Sequence, residues 1–516
     1  VTGRRFPRGA VASPHYLASA TGLAVLARGG NALDAAIATN LTLAVVAPYM
    51  CGFGGDLFAV VWDGRLHGYL GSGRSGAEAT RDGVAARAGT TYMPFIGPDS
   101  VTVPGAVAGW FDLLAEWGSL DFATLAADAI TYARDGFPVT ADAAPVFAEG
   151  AHLYRAQPWF DAWRRVYADV TAGTWLRQPP LARTIERLAQ DGPDAYYQGP
   201  IGEAIVATLS EHGADHRPRD LAAHAGEWVT PLRAPFRDVE VVELPPPTQG
   251  VAALEALAIL DGGPRPDPGA GREHLLIEAL KQALADRDTF VTDPAFMPSP
   301  ATELLRPSHV SGRRGAIRAD TAAHPAVGSL QRGGTAYLCA ADADGLLVSL
   351  IQSNFLAFGS GIHIAEWGIN LNNRGSSFSL DAGRANAFEP GKRPLHTLIP
   401  ALSLRDGEPW LVFGSMGGDA QAAVHVQLLT HLVDDRADPD DALRAPRWRV
   451  DPGSWTVHAE SRFAPDVLDG LRSRGHEVVV EAPYDSRFGH AHVIRLERPG
   501  YAAAADPRSE GAALGR

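Results

Sequence analysis

Cysteine is nearly missing from this chain. Two are present, Cys51 and Cys339, among 516 residues. They form no spaced cluster, which argues against a disulfide scaffold or a zinc site. Both read as small apolar core residues, with a single pairing between them left open. Long hydrophobic runs are missing too. The longest, residues 41–47, is far short of the ~20 residues that cross a bilayer, and it ends at Pro48. No apolar segment follows Arg4, Arg5 and Arg8, so no secretory leader is visible; a cytoplasmic protein is expected, or an exported one if the sequence is already trimmed. Positive charge is in deficit, with 45 Lys and Arg against 59 Asp and Glu, a net charge of −14. That balance disfavours nucleic-acid backbones and anionic membranes as partners while leaving room for a local basic pocket. The glycine-rich residues 52–55 are not followed by Gly-Lys-Ser/Thr, so they do not read as a phosphate loop. There is no internal repeat and no low-complexity tract.

What is present is an ordinary globular balance, 46% hydrophobic and 20% charged, in a chain long enough for a large core or for several domains. Residues 9–50 read as a short strand and two helices. Asn31 can cap the second, with Asp34 near its positive end, and that helix is apolar on nearly every side and therefore buried. Residues 57–62 read as a strand, and a further strand ends at Tyr69-Leu70-Gly71, presenting Arg74 among small residues. Residues 104–290 read as mostly helical, with a strand at 239–244 stopped by three prolines and a strong helix at 274–288. Asp286 and Asp288 on that helix read as solvated or capping acids, with metal ligation as the weaker alternative. Residues 298–334, rich in Pro, Arg, Ser, His and Gly, read as an exposed connector, and the tail after Tyr501 as disordered.

The informative stretch begins at Gly333-Gly334-Thr335. From Thr335 onward two strands are joined by an Asp342-Ala343-Asp344-Gly345 turn. Two glycines before a threonine that opens a strand read either as an ordinary loop or as a site of self-cleavage. In the second case the Thr335 hydroxyl attacks the Gly334 carbonyl. Thr335 then becomes a new N-terminus whose hydroxyl is the nucleophile and whose α-amine is the base. Ser353, near the end of the second strand, would point toward Thr335 in simple register, and Asn354 would face the other way.

This run resembles the γ-glutamyltranspeptidase family, and the resemblance extends over nearly the whole chain. Other blocks recur in the family's order: residues 29–36, 52–55, 103–109, 245–247, 285–288, 358–361, 391–394 and 414–418. The resemblance implies an α+β fold, the four-layer αββα sandwich of N-terminal-nucleophile hydrolases, cleaved into a large subunit, 1–334, and a small subunit, 335–516. It implies no metal or organic cofactor, and it is compatible with an oligomer of processed heterodimers. Thr335 is the implied nucleophile, Ser353 the hydroxyl beside it, and Gly417 and Gly418 the oxyanion donors. Arg74 falls at the carboxylate-binding arginine, the alternative being a solvated loop residue. Phe355 replaces a substrate-binding asparagine. Ser377 stands at an acidic position and Arg374 at a polar one, where transpeptidases hold a substrate α-amine. A cation there has the wrong sign for that amine, and Arg374 suits a carboxylate unless it turns outward. His396 and Thr397 replace two hydroxyl residues. Thr397 can still donate, and His396 can donate, titrate or simply pack. The segment 378–392 is short for the family's lid, so an open pocket is expected.

The implied activity is a self-processing amidohydrolase or acyltransferase acting on the amide of a small carboxylate-bearing acyl group. That resembles the oxamate amidohydrolases and glutaryl-type cephalosporin acylases of the family. The alternatives are a true γ-glutamyltransferase or glutathione hydrolase and, in another class, an uncleaved inactive homologue with a binding or assembly role.

Overall fold

The strand Gly334–Ala341 has no solvent face. In the computed structural model, which describes residues 3–325 and 334–516, its alternate side chains enter two different apolar layers. Tyr337, Cys339 and Ala341 meet Val242, Leu402, Val412 and Ile494 of a second sheet. Ala336, Leu338 and Ala340 face helices instead. A period of two with apolar residues at both phases is what a central strand of a layered protein requires.

Two seven-stranded sheets are stacked. The first runs Ala512–Gly515, Ala10–Ser13, Gly334–Ala341, Leu347–Phe355, Asp56–Trp62, Leu66–Gly71, Glu227–Val229. The second runs Arg4–Phe6, Tyr501–Ala505, Ala491–Leu496, Glu408–Ser415, Ala401–Arg405, Val239–Glu243, Leu232–Phe236. Helices Tyr16–Ala27 and Ala32–Val46 cover the outer face of the first. Helices Gly250–Asp261, Ala270–Phe290 and Ala420–Leu429 cover the second. The order helix, sheet, sheet, helix is the expected four-layer α+β sandwich. Among the described residues no helix is long and apolar enough to cross a membrane.

Local expectations hold where the chemistry is local. The Asn31 side chain accepts from the Asp34 N–H at 2.9 Å while the Asp34 carboxylate accepts from the Asn31 N–H at 3.0 Å. This reciprocal cap opens a helix buried along its full length. Cys51 and Cys339 are buried free thiols.

Three readings are overturned. The span expected to be an exposed connector contains a helix, Pro307–Ala316, started by proline at its first turn and docked by Arg314, whose guanidinium donates to the carbonyls of Ala258 and Ile259. Val310 is its one buried side chain, so no hydrophobic period announces it; residues 326–333, including Gly333, lie outside the described residues. The tail is not disordered. Tyr501–Ala505 and Ala512–Gly515 join different sheets, their alanines fitting where two layers approach closely. Nor are Asp286 and Asp288 solvated or capping acids. Asp286 is buried against His309 and Arg313, and Asp288 against Arg287.

The stacking of the sheets has a testable weak point. The Tyr337 ring lies on Gly414, where an added Cβ would stand 2.4 Å from a ring carbon. Both groups are held by their sheets, so Gly414→Ala should destabilise the fold by about 1–3 kcal/mol. A lowered thermal midpoint is the expected readout, and an unchanged one would mean the sheets re-space freely.

Candidate active site

Ser353 stands between the two atoms that a self-cleavage would join. The hairpin pairs Ala336 with Gln352, a register that sets Thr335 opposite Ser353, and an irregularity just beyond pairs Gly334 with Phe355. The Thr335 hydroxyl donates to Ser353 Oγ at 3.1 Å, and Ser353 Oγ–H donates to the Gly334 carbonyl at 2.7 Å. The Phe355 N–H also donates to Ser353 Oγ at 2.7 Å. With two donors on its lone pairs, Ser353 has its single proton committed to the carbonyl of the Gly334–Thr335 bond. Asn354 points to the opposite face, beside Gly52 and Gly55, as alternation predicts.

Past the strand the backbone is forced. Phe355 has φ 80° and Ala357 φ 45°, a region that costs of order 1–3 kcal/mol for a residue with a Cβ. The turn places the Phe355 ring under the Arg374 guanidinium, whose Cζ is 3.9 Å from the ring centroid. Arg374 rides on a segment locked by Asn372, which bonds Gly54 and Thr102, and by Asn373, which bonds Phe95 and Leu356. The Ser377 hydroxyl, shared between the carbonyls of Arg374 and Leu395, ties the same turn to residue 395.

Arg374 does not turn outward. It is 0% exposed, Nη1 reaches Thr397 Oγ1 at 3.4 Å, and Nε and Nη2 have no hydrogen-bond partner among the described residues. Burial pulls its pKa down to about 10 against the attraction of Asp56 and Asp419. His396 is also fully buried, edge-on to Phe58, with neither ring nitrogen hydrogen-bonded among the described residues. Burial, then Arg374 and Arg393, keep it neutral.

Gly417 and Gly418 follow the strand Glu408–Ser415 in a turn with φ 140° and 59°, where a side chain would be strained. This turn is joined to the Arg374 region by Gln249, a residue the sequence did not single out. Gln249 Nε2 donates to the carbonyls of both Thr397 and Gly418 at 3.0 Å, and its Oε1 accepts from Arg287, which also holds Asp419 at 2.8 Å. Gln249 lies just past the triple proline, and Arg287 lies within the block 285–288. Those blocks were the available signal, but nothing in them assigned a role. Asp56, first residue of Asp56–Trp62 and cross-strand partner of Ser353, was also missed.

Arg74 stands apart from this chain of contacts. Its Nη1 donates to Asp293 and to the Gly391 carbonyl, both at 3.0 Å, and its side chain is 48% exposed. Nor is the pocket open as expected. Thr335 and Arg374 are both fully buried in the uncleaved chain, and the segment 378–392 folds back on itself through Asn386 and Lys392.

Among the described residues, two His-carboxylate clusters have the composition of metal sites. In one, the Lys281 ammonium lies among His274, Glu278 and His476, donating to Glu278 at 3.0 Å. In the other, His309 and Arg313 meet Glu255 and Asp286. Protein cations already balance both.

The sequence profile of the γ-glutamyltranspeptidase family matches residues 18–516. A glutathione hydrolase-like proenzyme of Bacillus subtilis is 37% identical, the match covering 98% of each chain. An oxamate amidohydrolase proenzyme of Klebsiella pneumoniae is likewise 37% identical over 98% of each. The crystal structure of a cephalosporin acylase from Bacillus halodurans superposes with a TM-score of 0.96 at 35% identity, covering 100% of this chain and 97% of that one.

Proposed function

Because this chain belongs to the γ-glutamyltranspeptidase family, we propose that it is a self-processing, threonine-nucleophile amidohydrolase for amides of a small acyl group that carries a carboxylate. The observation that carries the acyl class is Arg374, a buried guanidinium with two nitrogens unpartnered among the described residues. Buried guanidinium N–H groups without acceptors are costly, and a carboxylate accepting from that fork relieves the cost. The same cation repels the α-amine of a γ-glutamyl group.

Processing begins with the Thr335 hydroxyl attacking the Gly334 carbonyl. Its proton passes to Ser353 as the Ser353 proton moves toward the carbonyl oxygen, so the developing oxyanion is met by a donor already aimed at it. As the intermediate collapses the proton on its oxygen is returned to the nitrogen, the C–N bond breaks, the nitrogen leaves as the α-amine of Thr335, and water hydrolyses the resulting ester. In turnover the freed hydroxyl attacks the substrate amide with the α-amine as base, and the N–H groups of Gly417 and Gly418 hold the oxyanion. Arg374 and Thr397 receive the acyl carboxylate. Ser377 and His396 shape that end, and Arg74, with Asp293, stands at the outer side. The acyl-enzyme is resolved by water or an amine acceptor.

A panel of oxamate, glutaryl-p-nitroanilide and γ-glutamyl-p-nitroanilide tests this. One of the first two should exceed the γ-glutamyl substrate in kcat/KM by at least about tenfold, the discrimination expected of ~1.4 kcal/mol. Faster release from the γ-glutamyl compound would assign a γ-glutamyltransferase instead.

A further inference from the structure

Three buried side chains on the inter-sheet face of the site carry unpartnered polar atoms at once. Asp56 is 0% exposed; its Oδ1 accepts from the Gly73 N–H at 3.3 Å, and Oδ2 has no hydrogen-bond partner among the described residues. His396 Nε2 lies 3.7 Å from that Oδ2, and both ring nitrogens are unpartnered there. Arg374 supplies Nε and Nη2. Buried polar atoms are rarely without a partner, and three charged or titratable groups whose partners are not supplied by the described residues converge on one place, which marks it as built for a polar occupant. Asp56 is paired by register with Ser353 on the adjacent strand, so this space adjoins the reacting atoms.

With Asp56 ionised, the charges do not tolerate an added anion. Around Asp56 stand Arg374, His396, Tyr196 and Tyr197. Farther out, Asp419 is held by Arg287, and Arg393 by Asp293 and Glu227. Both tyrosines are pushed up by burial and stay neutral, and His396 is neutral beside two arginines. Arg374 and an ionised Asp56 therefore cancel, and a bound carboxylate would leave the buried space one negative charge in excess.

We propose that Asp56 is a specificity-determining residue, and that binding of an acyl carboxylate at Arg374 is accompanied by uptake of one proton from solvent onto Asp56 Oδ2. This rests on the reading of Arg374 given above. Burial already raises Asp56 to about 7 against the pull of Arg374, so the proton is available near neutrality. The sign follows. Below that value the pocket is cationic and accepts the anion without change. Above it, each unit of pH removes about tenfold from the affinity, until the value in the complex is passed.

The test is the ratio of kcat/KM for glutaryl-p-nitroanilide to that for butyryl-p-nitroanilide on the processed enzyme, from about pH 6 to about pH 8.5. The ratio cancels the titration of the nucleophile, which both substrates share. The wild type should hold a level ratio to about pH 7 and then lose about tenfold per unit, while Asp56→Asn should stay near the low-pH ratio throughout. A level wild-type ratio that Arg374→Gln still lowers would overturn the role of Asp56 and leave the acyl class standing. A slope that survives Asp56→Asn would overturn it too. A ratio near one at every pH, unmoved by Arg374→Gln, would remove both. Should Asp56→Asn fail to fold, calorimetry on the wild type in two buffers of unlike ionisation heat decides. At about pH 8, glutarate should take up about one proton more than butyrate, and equal uptake would overturn the proposal.

Discussion

Thr335→Ala should run as one full-length band on denaturing gels and stay so on prolonged incubation, while the wild type resolves into chains ending at Gly334 and starting at Thr335. Alanine removes the hydroxyl proposed to attack the Gly334 carbonyl and so prevents release of the α-amine. Processing and turnover should therefore fall together to background. Thr335→Ser keeps the oxygen but loses the methyl that restricts χ1, so it should process and turn over more slowly, not stop. Ser353→Ala separates attack from stabilisation. The nucleophile remains, but the Gly334 carbonyl loses its 2.7 Å donor, and cleavage should slow by roughly 10²–10³-fold, the effect of deleting one oxyanion donor. Timed gels read all three. A wild type that stays intact while active would refute the mechanism, and an intact, inactive one would support a binding or assembly role.

The second large effect is expected at Arg374. Arg374→Gln keeps polarity and much of the volume but removes the charge and the fork. For a carboxylate-bearing acyl amide, kcat/KM should drop roughly 10²–10³-fold, about 3–4 kcal/mol, because the substrate anion would be buried without its counter-ion. A neutral acyl amide should change little. Equal losses for both substrates would mean that Arg374 supports the fold through Phe355 and Thr397 rather than the acyl group. The variant also removes a guanidinium whose burial is costly, so its thermal midpoint should not fall in parallel with activity.

Elements whose cause lies within a few residues were legible. The Asn31–Asp34 cap, the hairpin around Asp342–Gly345 and the strand before the triple proline rest on local hydrogen bonds or backbone restriction, and residue types alone express those. Ser353 followed from alternation along one strand. The helix Pro307–Ala316 and the final two strands were not legible. A single apolar residue, Val310, and arginine contacts to distant carbonyls hold the first, and the close approach of two layers favours alanine in the others; neither leaves a periodic trace.

The sequence by itself determined the hairpin and the threonine that opens it, since each depends on neighbours in the chain, while the layered class followed from the resemblance of its motifs to the family's. Only the tertiary structure decided what faces that threonine. It set Ser353's proton on the Gly334 carbonyl, brought Gln249 between Thr397 and Gly418, paired Arg74 with Asp293, and gathered Arg374, His396 and Asp56, each with polar atoms that have no hydrogen-bond partner among the described residues. Those groups come from segments far apart along the chain. Electrostatics and hydrogen bonding act across space, so the charge of a pocket is fixed only once sheets and loops have converged on it.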